Sequence, residues 1–151
     1  MERLKHFPRE GLYMVWDLLT MIGNFNPGAF REAWENIIRR HAPLRTSFQT
    51  HPNHRQRIHT NVRLPFEEVD LRDLSKSEQS QRVSDYVREY RQRGVDKSRP
   101  AQFQLTLFRT EEQTWQFFWA FNYMLYDGWS GYFMLSECAK LYGAYAKKTL
   151  L

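Results

Sequence analysis

Residues 115 to 121 read Trp-Gln-Phe-Phe-Trp-Ala-Phe. A strand with one face in water alternates apolar and polar side chains, whereas a run this continuously apolar is buried on both faces. A chain that contains such a strand must cover it twice. It therefore needs a sheet with an apolar layer on each side, and helices are the usual cover.

The rest of the chain supplies that cover. Tyr13 to Ile22 is rich in aromatic and aliphatic residues and is expected to be a strand that stops at Gly23. Asn26 is placed as the N-cap of a helix with Pro27 at its first position. Phe30, Ala33, Trp34, Ile37 and Ile38 recur at helical spacing and predict an amphipathic helix over 27–41, with Pro43 helping to end it. Leu44 to Phe48 leads into a second expected strand, the turn residues His-Pro-Asn-His follow, Gln56 to His59 is the next expected strand, and Leu64 to Leu71 is extended. Ser75 and Glu78 have the spacing of a capping box. Val83, Tyr86, Val87 and Tyr90 form the stripe of the helix that follows, with Gly94 as its stop.

Ala101, Phe103, Leu105 and Leu107 alternate with Gln102, Gln104 and Thr106, the pattern of a half-buried strand. The polar residues 109–114 make a hairpin loop before the apolar run. Met134, Cys138, Leu141, Tyr142 and Tyr145 mark a last helix over about 130–147. The element order predicts an α/β (α+β) fold, with helices packed on a mixed β-sheet, in one domain spanning residues 1–151.

Composition narrows the function classes. The 151 residues carry 22 Lys and Arg against 17 Asp and Glu, and no long run of like charge marks a nucleic-acid or membrane patch. A lone cysteine, Cys138, excludes an internal disulfide and falls on an apolar helical stripe as a core thiol. No segment approaches the roughly 20 apolar residues of a membrane span. The first residues lack the apolar core of a secretory signal, so a cytoplasmic location is expected. His51, His54 and His59 invite a metal reading, but no carboxylate or cysteine stands at ligand spacing and a solvated loop explains them. His41, at a helix end, can serve the last carbonyls. No resident metal or cofactor is expected.

The densest local signal is Trp119 to Ser130, where the buried strand ends and a loop carries Asp127-Gly128 into a helix. Loops at strand ends are where sites are usually built. Asp127 is either part of a tight turn or a carboxylate among bulky apolar residues that needs a partner.

Several segments together resemble the condensation domains of nonribosomal peptide synthetases. Arg39-Arg40-His41-Ala-Pro-Leu44-Arg45-Thr46-Ser-Phe48 resembles their RHxxLRTxF motif. Val69-Asp70-Leu71 and Gly94-Val95-Asp96 with Arg99-Pro100 fit as well. Asn122-Tyr123-Met-Leu-Tyr-Asp127-Gly128-Trp129-Ser130 occupies the place of HHxxxDGWS, and the likeness runs over about 12–147. The resemblance implies a chloramphenicol-acetyltransferase-like lobe, the N-terminal one of two. It also implies an active-site tunnel between lobes, bordered here by Trp129 and Ser130. Carrier proteins would deliver acyl donor and aminoacyl acceptor on phosphopantetheine arms, with no cofactor bound to the lobe itself. By the same resemblance, Asp127 and Gly128 shape the loop, with Arg45 or, second, Arg40 as the aspartate's buried ion-pair partner.

The sequence departs from the family pattern. Asn122 and Tyr123 replace the two motif histidines, the second of which serves the attacking amine. A phenol titrating near 10 is a poor base at pH 7, and losing a general base typically costs on the order of 10²–10⁴ in rate. By the same resemblance, the family's first motif would stand before Tyr13 and a C-terminal lobe would follow, and this chain is expected to lack both. The chain is therefore expected to be the N-terminal half of a condensation domain, inactive alone. The alternatives are a non-catalytic protein that docks a carrier protein or synthetase module, and an oligomeric acyltransferase of the same superfamily. The surplus of Trp, Tyr and Phe predicts an apolar face that associates with a complementary lobe or with itself.

Overall fold

The computed structural model describes residues 14–49, 52–94 and 96–149, and Tyr13, His51 and Val95 lie outside the described residues. A four-stranded sheet forms the centre, in the order β1 (Met14–Ile22), β6 (Thr114–Asn122), β5 (Phe103–Glu111) and β4 (Phe66–Asp70). β4 runs parallel to β5 and the other pairs are antiparallel, so the sheet is mixed. The parallel pair is joined through a helix, as parallel neighbours require. A separate two-stranded sheet holds β2 (Thr46–Gln49) and β3 (Arg55–Ile58).

The apolar run of β6 is covered twice, as its sequence demands. Trp115, Phe117, Trp119 and Phe121 face α1 (Pro27–Arg40) and α3 (Gly128–Thr149), in a core with Phe30, Trp34, Ile37, Met134 and Cys138. Phe118 and Ala120 face α2 (Lys76–Arg93), in a second core with Val83, Tyr90 and Phe108. At Gly131 α3 lies close against the sheet: a Cβ there would lie 3.0 Å from Cη2 of Trp119. Burial pushes the pKa of the Cys138 thiol up to about 12, which keeps it protonated.

The helix starts follow their capping signals. Asn26 accepts a hydrogen bond from the Ala29 N–H at 3.0 Å, with Pro27 at the start of α1. Both halves of the Ser75–Glu78 capping box are formed, and Gly94 ends α2 with φ +68°. None of the helices among the described residues is long and apolar enough to cross a membrane.

Leu44 leads into β2 as expected, through a short 3-10 turn over Ala42–Arg45, and β2 begins at Thr46. Three local expectations need correction. The β5–β6 hairpin is tighter than a six-residue loop, because both strands run on until only Glu112 and Gln113 separate them. The last helix begins at Gly128 rather than 130. β5 is buried on both faces, not one, with Gln104 and Thr106 at 7% and 0% exposure. Alternation alone reads those side chains as solvated, but α2 covers that face. Their polar atoms are bonded internally: Thr106 shares a 2.7 Å hydrogen bond with the Tyr86 hydroxyl, and Gln104 donates to the Leu105 carbonyl at 3.2 Å.

Candidate functional site

The loop between β6 and α3 is built from its two ends. At the strand end, Asn122 is 2% exposed, and both its amide nitrogen and its amide oxygen are hydrogen-bonded. Its Nδ2 donates to Oε1 of Gln102 at 2.6 Å, and its Oδ1 accepts from the Met124 N–H at 3.0 Å. Its carbonyl accepts from the Leu125 N–H at 3.0 Å, closing a turn. Gln102 in turn donates to the carbonyls of Lys97 and Arg99 at 3.2 and 3.3 Å. A glutamine in an alternating strand gave no warning of this role, which appears only when 97–102 folds back beside the loop.

Tyr123 follows and turns outward, 50% exposed. Beyond it, Tyr126 turns inward, stacked on Phe121 with ring centroids 5.0 Å apart. Burial pushes the pKa of its hydroxyl well above the ordinary value, and that hydroxyl has no hydrogen-bond partner among the described residues.

At the helix end, Asp127 is exposed. Its Oδ1 accepts from the Ser130 N–H and from the Ser130 hydroxyl, both at 2.8 Å, and its carbonyl takes the first helical bond from Gly131 at 3.0 Å. This is an N-cap, satisfying donors that a helix start leaves open. The bonds from Ser130 hold the carboxyl below the usual carboxylate range.

The expected buried ion pair between Asp127 and Arg45 is therefore absent among the described residues. Arg45 is engaged by the backbone: its Nε donates to the Ile38 carbonyl at 3.0 Å and an Nη to the His59 carbonyl at 2.6 Å. Arg40 is not the partner either; it bonds Glu137 of α3. A carboxylate three residues before a serine at a helix start has a local solution at no desolvation cost, and the local solution wins.

Glu137 is the residue sequence reasoning missed. It accepts from Arg40 through one oxygen and meets Nε2 of His41 through the other at 2.6 Å, so it clamps the end of α1 to α3. Burial pushes its carboxyl up, but the bonds from His41 and Arg40 outweigh that and hold it below the ordinary range. The His41 ring thus serves Glu137, while the His41 backbone N–H caps α1 on the Ile37 carbonyl at 2.9 Å. A cavity of about 250 Å³ lies beside this clamp, lined by His41, Leu44, Leu125, Tyr126, Phe133 and Glu137. Of the other histidines, His59 bonds the Ser47 hydroxyl at 2.8 Å. No group of three metal-ligating side chains gathers among the described residues.

The outer side of the loop and the first turns of α3 are apolar and open. Met124, Trp129, Tyr132 and Phe133 are 50% to 73% exposed. Trp129 and Ser130 thus stand at opposite kinds of task, one presenting an indole to solvent and one closing a cap. Chemically, the loop offers a phenol at Tyr123 and an amide already engaged at Asn122, with no imidazole on it.

The comparisons with known proteins agree with this geometry. The family model described as Condensation domain matches residues 4–151. The chain is 36% identical over 136 residues to a linear gramicidin synthase protein of Brevibacillus parabrevis, covering 89% of this chain and 3% of that one. It is 28% identical to bacitracin synthase 1 of Bacillus licheniformis, over 91% of this chain and 3% of that one. Among solved structures, the starter condensation domain of the rhizomide synthetase RzmA superposes with a TM-score of 0.81 at 20% identity, covering 92% of this chain and 35% of that one. The SgcC5 protein from Streptomyces globisporus superposes with a TM-score of 0.74 at 22% identity, covering 87% and 30%. The chain thus spans a small part of its curated relatives and about a third of the solved ones. With its helices on a mixed sheet and the family model matched over residues 4–151, this chain belongs to the condensation domain family of nonribosomal peptide synthetases.

Proposed function

We propose that the chain is the N-terminal lobe of a condensation domain. In that reading it serves amide formation between a carrier-bound acyl donor and a carrier-bound aminoacyl acceptor, and it is inactive alone. The observation that carries the reading is the state of the motif loop. Asn122 is consumed in a buried hydrogen bond to Gln102, and Tyr123 presents a half-exposed phenol where the family places its second histidine. A phenol is a poor general base for an amine, although it can orient one by hydrogen bonding. Substrates would arrive on the phosphopantetheine arms of carrier proteins. The open apolar surface of Met124, Trp129, Tyr132 and Phe133 fits the place where a second lobe closes a tunnel.

A second reading, a non-catalytic protein that docks a carrier protein or synthetase module, is favoured by the same apolar surface combined with the missing base. One assay separates the two. The purified chain is mixed with an acyl-loaded and an aminoacyl-loaded carrier, with and without a separately expressed C-terminal condensation lobe. The expected result is no amide from the chain alone, none from Tyr123→His alone, slow product when the unmodified chain meets the second lobe, and faster product when Tyr123→His does. Amide from the unmodified chain alone would overturn the inactivity. Tight carrier binding with no product in any mixture would move the assignment to the docking reading.

A further inference from the structure

From residue 36 to residue 66 the sequence contains no aspartate or glutamate, yet it carries Arg39, Arg40, Arg45, Arg55, Arg57 and Arg63. Across the whole chain the basic excess is only 22 against 17, so the positive charge is concentrated here. The fold concentrates it further. Arg39 at the end of α1, Arg45 in the 3-10 turn and Arg63 in the segment before β4 line one cavity of about 390 Å³, together with Thr60 and Asn61.

The cavity holds a charge imbalance. Its one carboxylate is Glu35, already engaged by Arg31 one turn earlier at 3.6 Å. Arg39, Arg45 and Arg63 pair with no carboxylate among the described residues. Like charges gathered in one concave site repel and focus the field, which draws in a counter-ion. The position of Arg39 in the last turn of a helix accounts for that residue on dipole grounds, but not for its convergence with the other two.

Arg45 gives the cavity a fixed point. Its guanidinium is half-buried and pinned by the Ile38 and His59 carbonyls at 3.0 and 2.6 Å. A guanidinium has five N–H donors, so three are left. They sit on a group whose orientation is already fixed, and a pinned planar fork is the geometry that recognises oxyanions bidentately. Thr60 adds a hydroxyl and Asn61 an amide, the remaining donors a tetrahedral oxyanion uses.

We propose that this cavity binds a phosphate group. Three guanidiniums against one carboxylate leave an excess that a dianion matches and a single carboxylate does not. The volume exceeds what the anion itself needs, leaving room for a body attached to it. The cavity is open to solvent on the side of Arg39, Thr60, Asn61 and Arg63, and its concave shape favours a small ligand over the flat face of an acidic protein. The inference does not rest on the reading of the motif loop, which lies on other elements.

The test uses the purified full chain. Inorganic phosphate and phenyl phosphate are titrated at constant ionic strength, with binding read by calorimetry and by the NMR signals of the arginine Nε–H groups. Saturable binding that moves the Arg45 and Arg63 signals is expected, stronger than for acetate. Tighter binding of phenyl phosphate assigns the site to a phosphomonoester, and equal binding assigns it to free phosphate. Arg39→Gln combined with Arg63→Gln should weaken binding about tenfold or more, a loss of about 1.4 kcal/mol or more. Both positions are exposed, and an unchanged circular dichroism spectrum checks the fold. Non-saturable binding, equal affinity for acetate, or an unaffected double variant overturns the proposal. So does poly-glutamate binding that phosphate fails to displace, which would identify an acidic-protein surface instead.

Discussion

Asn122 and Asp127 stand five residues apart and show two ways a polar side chain is accommodated beside a core. Asn122 is buried, so its amide must be satisfied internally, and Gln102 and the Met124 N–H do so. Asn122→Ala would strand the Gln102 carbonyl in a dry site. An unsatisfied buried group costs roughly 1–3 kcal/mol, so urea denaturation should show about 2 kcal/mol of destabilisation. A loss below about 0.5 kcal/mol would mean that water replaces the amide, at the scale of ordinary surface changes. Asp127, by contrast, caps α3 from the solvent side. Asp127→Ala removes a surface cap and leaves no buried charge behind, so the severe loss expected of a broken buried pair does not apply.

Among the elements, the contact between α1 and α3 carries a charge that pH can tune. Their shared apolar face is set by Trp34, Ile37, Met134 and Cys138, and Glu137 adds the polar clamp at one end. The linkage sign follows from Glu137. Its folded carboxyl titrates below the ordinary carboxylate value, so its contribution is present above that value and is lost as the pH falls through the folded one. Glu137→Gln should therefore destabilise the chain at pH 7, by at most about 1 kcal/mol because the partners are partly exposed. The difference between variant and parent should close as the solution is acidified below the usual carboxylate range. Thermal melts at a series of pH values measure this, and a difference that persists in acid would remove the charge from the explanation.

For the whole molecule, the telling feature is what stays uncovered. Trp129, Tyr132 and Phe133 on α3 are each more than 60% exposed, and Met124 on the loop is at 50%. β1 lies at the sheet edge, paired only with β6, and presents Trp16, Leu19 and Ile22. Apolar surface of this kind marks interaction sites or association. Light scattering of the isolated chain at increasing concentration should show a dimer or larger species, and Tyr132→Glu with Phe133→Glu should shift it toward monomer. A parent that stays monomeric at high concentration would sink the expectation.

What the sequence determined by itself was the layering. The run from Trp115 to Phe121 requires cover on both faces, the spacing of Phe30, Trp34 and Ile37 supplies one helix, and the Ser75–Glu78 box starts another. Those signals are local and periodic, so they survive being read one window at a time. The motif around Asn122 to Ser130 was legible as a family likeness and as a strand–loop–helix, because strand ends and helix caps are also local. The tertiary structure decided which polar groups meet. That Gln102 faces Asn122, that Glu137 rather than Asp127 takes Arg40, and that Arg45 lies pinned between two carbonyls beside Arg39 and Arg63 depends on how distant segments approach in space. Competing partners for one charge differ by desolvation and geometry, and neither quantity is written in the spacing of residues along the chain.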